Sequence, residues 1–278
     1  MAEKNVIEAI KALRERTGAG MMDCKHALEE TNFDMEKAVD WLREKGIAKA
    51  AKRANRTAAE GLAAVKTCDK CGRGAIVEVN CETDFVSASD KFHAFADGAV
   101  ATILEKDPKT FEEAEKDVEQ LKEDTALATG EKTAFRRYAI LAKTAEQGFG
   151  SYIHMGGKIG VLLVLAKKDD ELAAQVAMHI AANAPEFITL ADVPAAIRER
   201  EKGVATAEVA ADPKLINKPE AVKAQIIERK VDKVLSQSCL EFQKWLLDES
   251  KTVAQVLKEK DNSVVSFVRY QVGEGITA

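Results

Sequence analysis

An α+β fold is expected from three features of this 278-residue sequence: short β-prone runs that read as hairpins, apolar stripes at helical spacing after each, and a second hairpin, helix and returning strand that echo the first. The architecture they imply is an N-terminal three-helix unit, a duplicated core of two small antiparallel-sheet subdomains with helices, and an inserted helical hairpin. The expected divisions are residues 1–56, 57–145, 146–192, 193–238 and 239–278.

In the N-terminal unit, Val6, Ile7, Ile10 and Leu13 follow helical spacing until Thr17-Gly18-Ala19-Gly20 breaks it. A second helix opens at Met22 and carries Ala27 and Leu28. Asp34 can cap a third with Ala38, Val39, Trp41 and Leu42, which Gly46 is expected to stop. A unit of about 45 residues has little core and suits docking better than catalysis. Lys45, Lys49, Lys52, Arg53 and Arg56 then form a basic stretch without acidic residues. A phosphate-contacting strip is one reading; with no aromatic side chain interleaved to stack on bases, a solvated linker or helix is preferred.

From Gly61 the period changes. Leu62–Thr67 and Ala75–Asn80 read as a hairpin, followed by a helix striped with Phe92, Phe95, Ala96, Ala99, Val100, Ile103 and Leu104. A polar helix over 110–127 leads to a strand at Phe135–Leu141. The order then recurs: Tyr152–Met155 and Ile159–Ala166 form a hairpin across Gly156-Gly157-Lys158, a helix spans Leu172–Ala182, and Phe267–Val272 returns with Phe, Arg and Tyr in register with Phe135, Arg137 and Tyr138. Two helices over 193–211 and 219–238 are the surplus of the second copy. Their apolar face can cover the protein's own core, a partner or a second copy.

Composition narrows the function. With 41 Lys+Arg against 46 Asp+Glu, the net charge of −5 argues against a surface that is one electrostatic footprint for nucleic acid. The longest apolar run, Val161–Ala166, falls far short of the roughly 20 residues of a membrane helix, and the charged start lacks an export signal. Five cysteines suit a reducing compartment, so a cytoplasmic protein is expected. No Ser/His/Asp order, HExxH or nucleotide-binding loop occurs, so neither an enzyme nor a cofactor is expected.

Cys68-Asp69-Lys70-Cys71 is read as free thiols in a turn; zinc with Cys81 and His93, or a redox pair, are its alternatives. Gly156-Gly157-Lys158-Ile159-Gly160 lacks the order of a phosphate loop and reads as a tight turn. His154 beside it reads as a solvated loop histidine, and His179 as a satisfied helix histidine. The sharpest feature is Asn80-Cys81-Glu82-Thr83-Asp84-Phe85-Val86, where the first hairpin hands over to a helix capped by Thr83 or Ser87. Phe85 stands seven residues before Phe92, so it belongs either to the core stripe or to a presented turn, and the residues alone leave both open.

Two stretches resemble the translation elongation factor Ts family: Leu13–Lys25 followed by Ala27-Leu28, and Glu78–Ser87. Further similarity lies in Ser151-Tyr152, His154, Ile159-Gly160-Val161, Met178–Ala182, Pro185-Glu186-Phe187 and Val272–Gly275. The resemblance implies a ubiquitin-associated-like N-terminal domain, a duplicated core and a helical dimerisation hairpin. It implies a guanine-nucleotide exchange factor for elongation factor Tu, with no nucleotide, nucleic acid, metal or membrane bound by the factor itself. Thr83, Asp84, Phe85 and Val86 would enter the GTPase and help dislodge its Mg²⁺; His154 would touch it near the phosphate-binding loop. His26 and Ala88 depart from the family pattern, and a further C-terminal helix found in some members is not expected. The alternative is an adaptor or chaperone that binds protein or RNA without promoting exchange.

Overall fold

A computed structural model describes residues 3–53, 55–215 and 217–277. The chain forms two compact units: residues 1–144, 151–162 and 268–278 in the first, 145–150 and 163–267 in the second.

The first unit opens with α1 (Glu3–Thr17), α2 (Met21–Glu30) and α3 (Met35–Arg53), packed around Leu13, Cys24, Leu28, Ala38 and Leu42. Gly46 does not end the third helix. A mid-helix glycine costs about 1 kcal/mol relative to alanine, too little by itself to end the helix, and Leu127 Cδ1 lies at ordinary contact distance, 3.5 Å, from where a Cβ would be. The basic stretch thus begins as helix, with Lys45 Nζ 5.4 Å from the Trp41 ring centroid. The side chains of Lys49 and Lys52 lie outside the described residues. Arg56 pairs with Glu82 at 3.2 Å, an intramolecular use of one charge of that stretch.

Strands β1 (Glu60–Cys68) and β2 (Arg73–Cys81) pair antiparallel, with Val65 opposite Ile76. Helices α4 (Asp84–Ser87), α5 (Asp90–Lys106) and α6 (Phe111–Thr129) follow, and β3 (Ala134–Ala142) returns beside β2 to complete the order β1-β2-β3. The predicted stripe of α5 is buried together with Val77, Val79 and Phe135. Phe92 and Phe95 meet edge to face at 5.8 Å. Burial of such a side chain contributes roughly 1.5–3 kcal/mol. Cys68 and Cys71, expected as free thiols, are joined in a disulfide across the β1–β2 turn. The four-residue turn holds their Cα atoms 5.5 Å apart, within bridging range.

Glu78 is wholly buried in β2. It accepts from Arg136 Nη1 at 2.7 Å, Arg137 Nε at 2.5 Å and the Gly273 amide at 2.9 Å. Burial alone would raise its pKa, but that amide and the two guanidinium groups hold the carboxyl below the usual carboxylate range. Gly273 adopts φ +77° directly against the Ala59 carbonyl, a position with no room for a side chain. The C-terminal segment of this unit is thereby tied to its sheet.

The second half of the chain carries β4 (Gly148–His154), β5 (Ile159–Leu165), α7 (Asp170–Asn183), α8 (Ala195–Ala211) and α9 (Glu220–Leu235). Then come β6 (Lys244–Trp245), β7 (Asp248–Thr252), α10 (Val253–Glu259) and β8 (Val264–Gln271). The sheet order β4-β5-β8 repeats that of the first sheet, again with a helix after the hairpin. The short β6–β7 hairpin and α10 were not predicted. Helices α8 and α9 bury Ala205, Val231 and Leu235 with Cys239 and exchange ion pairs such as Arg198–Asp232 at 3.0 Å. His179 is the satisfied histidine expected: its ring bonds Gln243 at 3.1 Å, accepts from the Leu246 amide at 3.2 Å and stacks on Trp245 at 5.4 Å.

Candidate functional site: a capped turn that presents Phe85

Strand β2 ends at buried Cys81, and two residues later the chain turns into the four-residue helix α4. Thr83 is the N-cap, extended at φ −127° and ψ 156°, and its hydroxyl accepts from the Val86 amide at 3.3 Å. Ser87 does not cap α5, as one reading had it. It is buried and donates to the Asp84 carbonyl at 3.0 Å, while Ser89 caps α5 by accepting from the Phe92 amide at 3.3 Å. Two caps within seven residues make a double corner, so Phe85 and Phe92 sit on different helices.

That corner decides the open question about Phe85. Phe92 is fully buried, whereas Phe85 is 86% exposed. Leaving a phenylalanine in water forgoes roughly 1.5–3 kcal/mol of burial. Val86 points the other way and packs against the first core. Asp84 is exposed beside Phe85 in the first turn of α4, where a carboxylate complements the positive end of the helix. The four predicted residues thus divide into a cap, an exposed acid, an exposed aromatic and an anchor.

The turn is also held from outside. Glu131 accepts from the Glu82 amide at 3.1 Å, the Thr83 amide at 3.0 Å and the Thr83 hydroxyl at 2.6 Å. The Cys81 thiol donates to the Thr83 carbonyl at 3.2 Å. Burial, and then the nearby Glu131 charge, push that thiol up to about 12, so it stays a neutral donor. Glu131 was not singled out from sequence. Its signal was its place just after Gly130, the left-handed C-cap of α6.

His154 lies elsewhere, at the exposed end of β4. Its Nδ1 is 3.2 Å from the Tyr152 hydroxyl, and the two rings stack at 5.8 Å. The next residue, Met155, has φ 49° and is 72% exposed, so the hairpin offers an apolar side chain beside the imidazole that sequence reasoning passed over. Gly157 closes this turn at φ +104°, where a Cβ would come within 2.7 Å of Leu62 Cδ2 on β1. The strand pair that carries the Phe85 turn therefore also seats the His154 turn, but the two are separate elements of the first unit.

Among the described residues, no group of three or more His, Cys, Asp or Glu is placed to hold a metal. No helix among the described residues is long and apolar enough to cross a membrane. The first turn offers an exposed aromatic and an exposed acid, and the second an exposed imidazole.

Comparison with known proteins agrees with the pattern of these turns. The family model described as elongation factor TS matches residues 82–274, beginning at the Phe85 turn itself. The elongation factor Ts of Lactiplantibacillus plantarum (strain ATCC BAA-793 / NCIMB 8826 / WCFS1) is 44% identical over 273 residues, covering 96% of this chain and 91% of that protein. With a match spanning the N-terminal helices, both sheets and the helical hairpin, the chain belongs to the elongation factor Ts family.

Proposed function

We propose that this chain is the guanine-nucleotide exchange factor of elongation factor Tu, binding the GDP form of that GTPase and promoting GDP release so that GTP can enter. The observation that carries the reading is an 86%-exposed Phe85 on a turn whose backbone is capped and clamped. A rigid apolar wedge regains its burial energy only by parting side chains on the partner. That movement weakens the contacts that hold Mg²⁺ and the GDP phosphates there, and Asp84 adds negative charge near the metal. His154 supplies a second contact near the phosphate-binding loop. Thr83 and Val86 hold the wedge in place.

No acid, base or nucleophile is needed, so the protein is not an enzyme in this reading. Linkage supplies the rest: a factor that lowers GDP affinity is itself bound less tightly by the GDP form, by the same ratio. The reading implies a cytoplasmic protein of the translation machinery. It also includes self-association through α8 and α9, where Val204 and Val234 are about half exposed; sedimentation velocity with Val204→Glu tests that part.

The decisive measurement is dissociation of a fluorescent GDP analogue from purified elongation factor Tu. Acceleration by the wild type is expected, falling on the order of tenfold or more in Phe85→Ala, the loss of most of one buried aromatic contact. Binding without acceleration would overturn the reading in favour of an adaptor.

A further inference from the structure

Beyond the residues that would touch the partner, the hydrogen bonds behind the Phe85 turn converge on Glu131. The segment that follows β2 and the loop after α6 exchange carboxylates. Glu131 takes both amides of the Glu82–Thr83 segment and the Thr83 hydroxyl. Glu82 in return accepts from the Lys132 amide at 2.6 Å and pairs with Arg56. Thr83 is bonded at every polar atom: its amide and hydroxyl donate to Glu131, its hydroxyl also accepts from Val86, and its carbonyl accepts from Cys81 and from the Ser87 amide at 3.2 Å.

A four-residue helix cannot hold its own geometry, because it lacks the length that propagates helical order. The N-cap hydroxyl that starts it is oriented by Glu131: with its proton donated to the carboxylate, the lone pairs are free for Val86. We infer that Glu131 is a positioning residue for nucleotide exchange, fixing the Thr83 cap and hence the direction in which Phe85 is presented. The inference rests on the exchange reading above. Chemically, a carboxylate suits this place because all three of its partners are donors, and two are amides that would otherwise lose their partner.

Three substitutions test it. Glu131→Ala should slow stimulated GDP release on the order of tenfold, the scale of effect a misplaced contact produces, and should strip hydrogen-exchange protection from the Glu82 and Thr83 amides while leaving α5 protected. Glu131→Gln retains one acceptor oxygen and should recover part of both. In a Phe85→Ala background, Glu131→Ala should add no further loss, because its effect passes through Phe85; a general destabilisation would multiply the two losses. Full exchange activity in Glu131→Ala, unchanged protection of both amides, or multiplied losses would each overturn the positioning role while wild-type stimulation stands. Absence of stimulation by the wild type would overturn the exchange reading and the positioning role together.

Discussion

The two strand-to-helix connections of the duplicated core differ in one respect. In the second copy, β5 ends at Leu165 and α7 begins at Asp170, with Asp169 capping by accepting from the Leu172 amide at 3.0 Å. In the first, residues 82–89 separate β2 from α5 and contain the extra helix α4. A direct connection needs one cap. The longer one needs two, Thr83 and Ser89, plus an outside clamp, Glu131. The surplus turn adds little to the core beyond Val86, and what it adds is an exposed phenylalanine. The two copies therefore diverge at the turn to which the proposed exchange function assigns its wedge.

The largest expected effect sharpens this contrast within the first connection. Phe92→Ala should lower stability by about 3–5 kcal/mol, the cost of a deleted core aromatic. Phe85→Ala should change it by no more than about 0.5 kcal/mol, as for an ordinary surface site. Chemical denaturation of the two variants decides it; equal losses would break the contrast.

Next in size is Glu78→Gln in β2, which weakens the tie to Arg136, Arg137 and Gly273. Because both arginines are partly exposed, a loss of about 1–3 kcal/mol is expected rather than the full cost of an orphaned buried charge. The sign with pH follows from the depressed carboxyl: Glu78 contributes stability above its unfolded pKa of about 4.3, and that contribution is lost as pH falls through its lower folded value. Denaturation midpoints of wild type and Glu78→Gln should converge in acid.

Smaller again is a pH effect in the second copy. His179 on α7 is held neutral, its pKa lowered by burial against a weaker opposing bond to Gln243. The unfolded chain therefore binds the proton more readily, and stability should begin to fall as pH drops below about 6.5. His179→Gln should flatten that limb. The smallest effect compares caps: Ser89→Ala and Asp169→Ala should each cost about 1 kcal/mol, equally in the two copies, since capping chemistry does not depend on what the turn presents.

Much of the fold was legible in the chain. The α5 stripe, both hairpins, the returning strands and the α8–α9 pair follow from periodicity and turn residues, which are local properties. The misreadings have a common cause. Gly46 signals a helix stop by intrinsic propensity, yet α3 continues through it to Arg53, because a penalty of about 1 kcal/mol is small beside the packing of the helix bundle. Ser87 has near-capping spacing to Asp90, yet it is the buried last residue of α4, and the cap moves to Ser89. The β6–β7 hairpin is too short for alternation to show, and the disulfide of Cys68 and Cys71 depends on a turn that brings them into range.

For the candidate site, the sequence by itself determined the family, through motifs that include Thr83, Asp84, Phe85, Val86 and His154, and so which residues to propose. What only the tertiary structure decided was whether Phe85 is buried in the core or exposed. A spacing of seven places two side chains on one face only within an unbroken helix. The cap at Ser89 breaks that helix, and Glu131, reaching from the end of α6 across almost fifty positions of sequence, holds the broken piece outward.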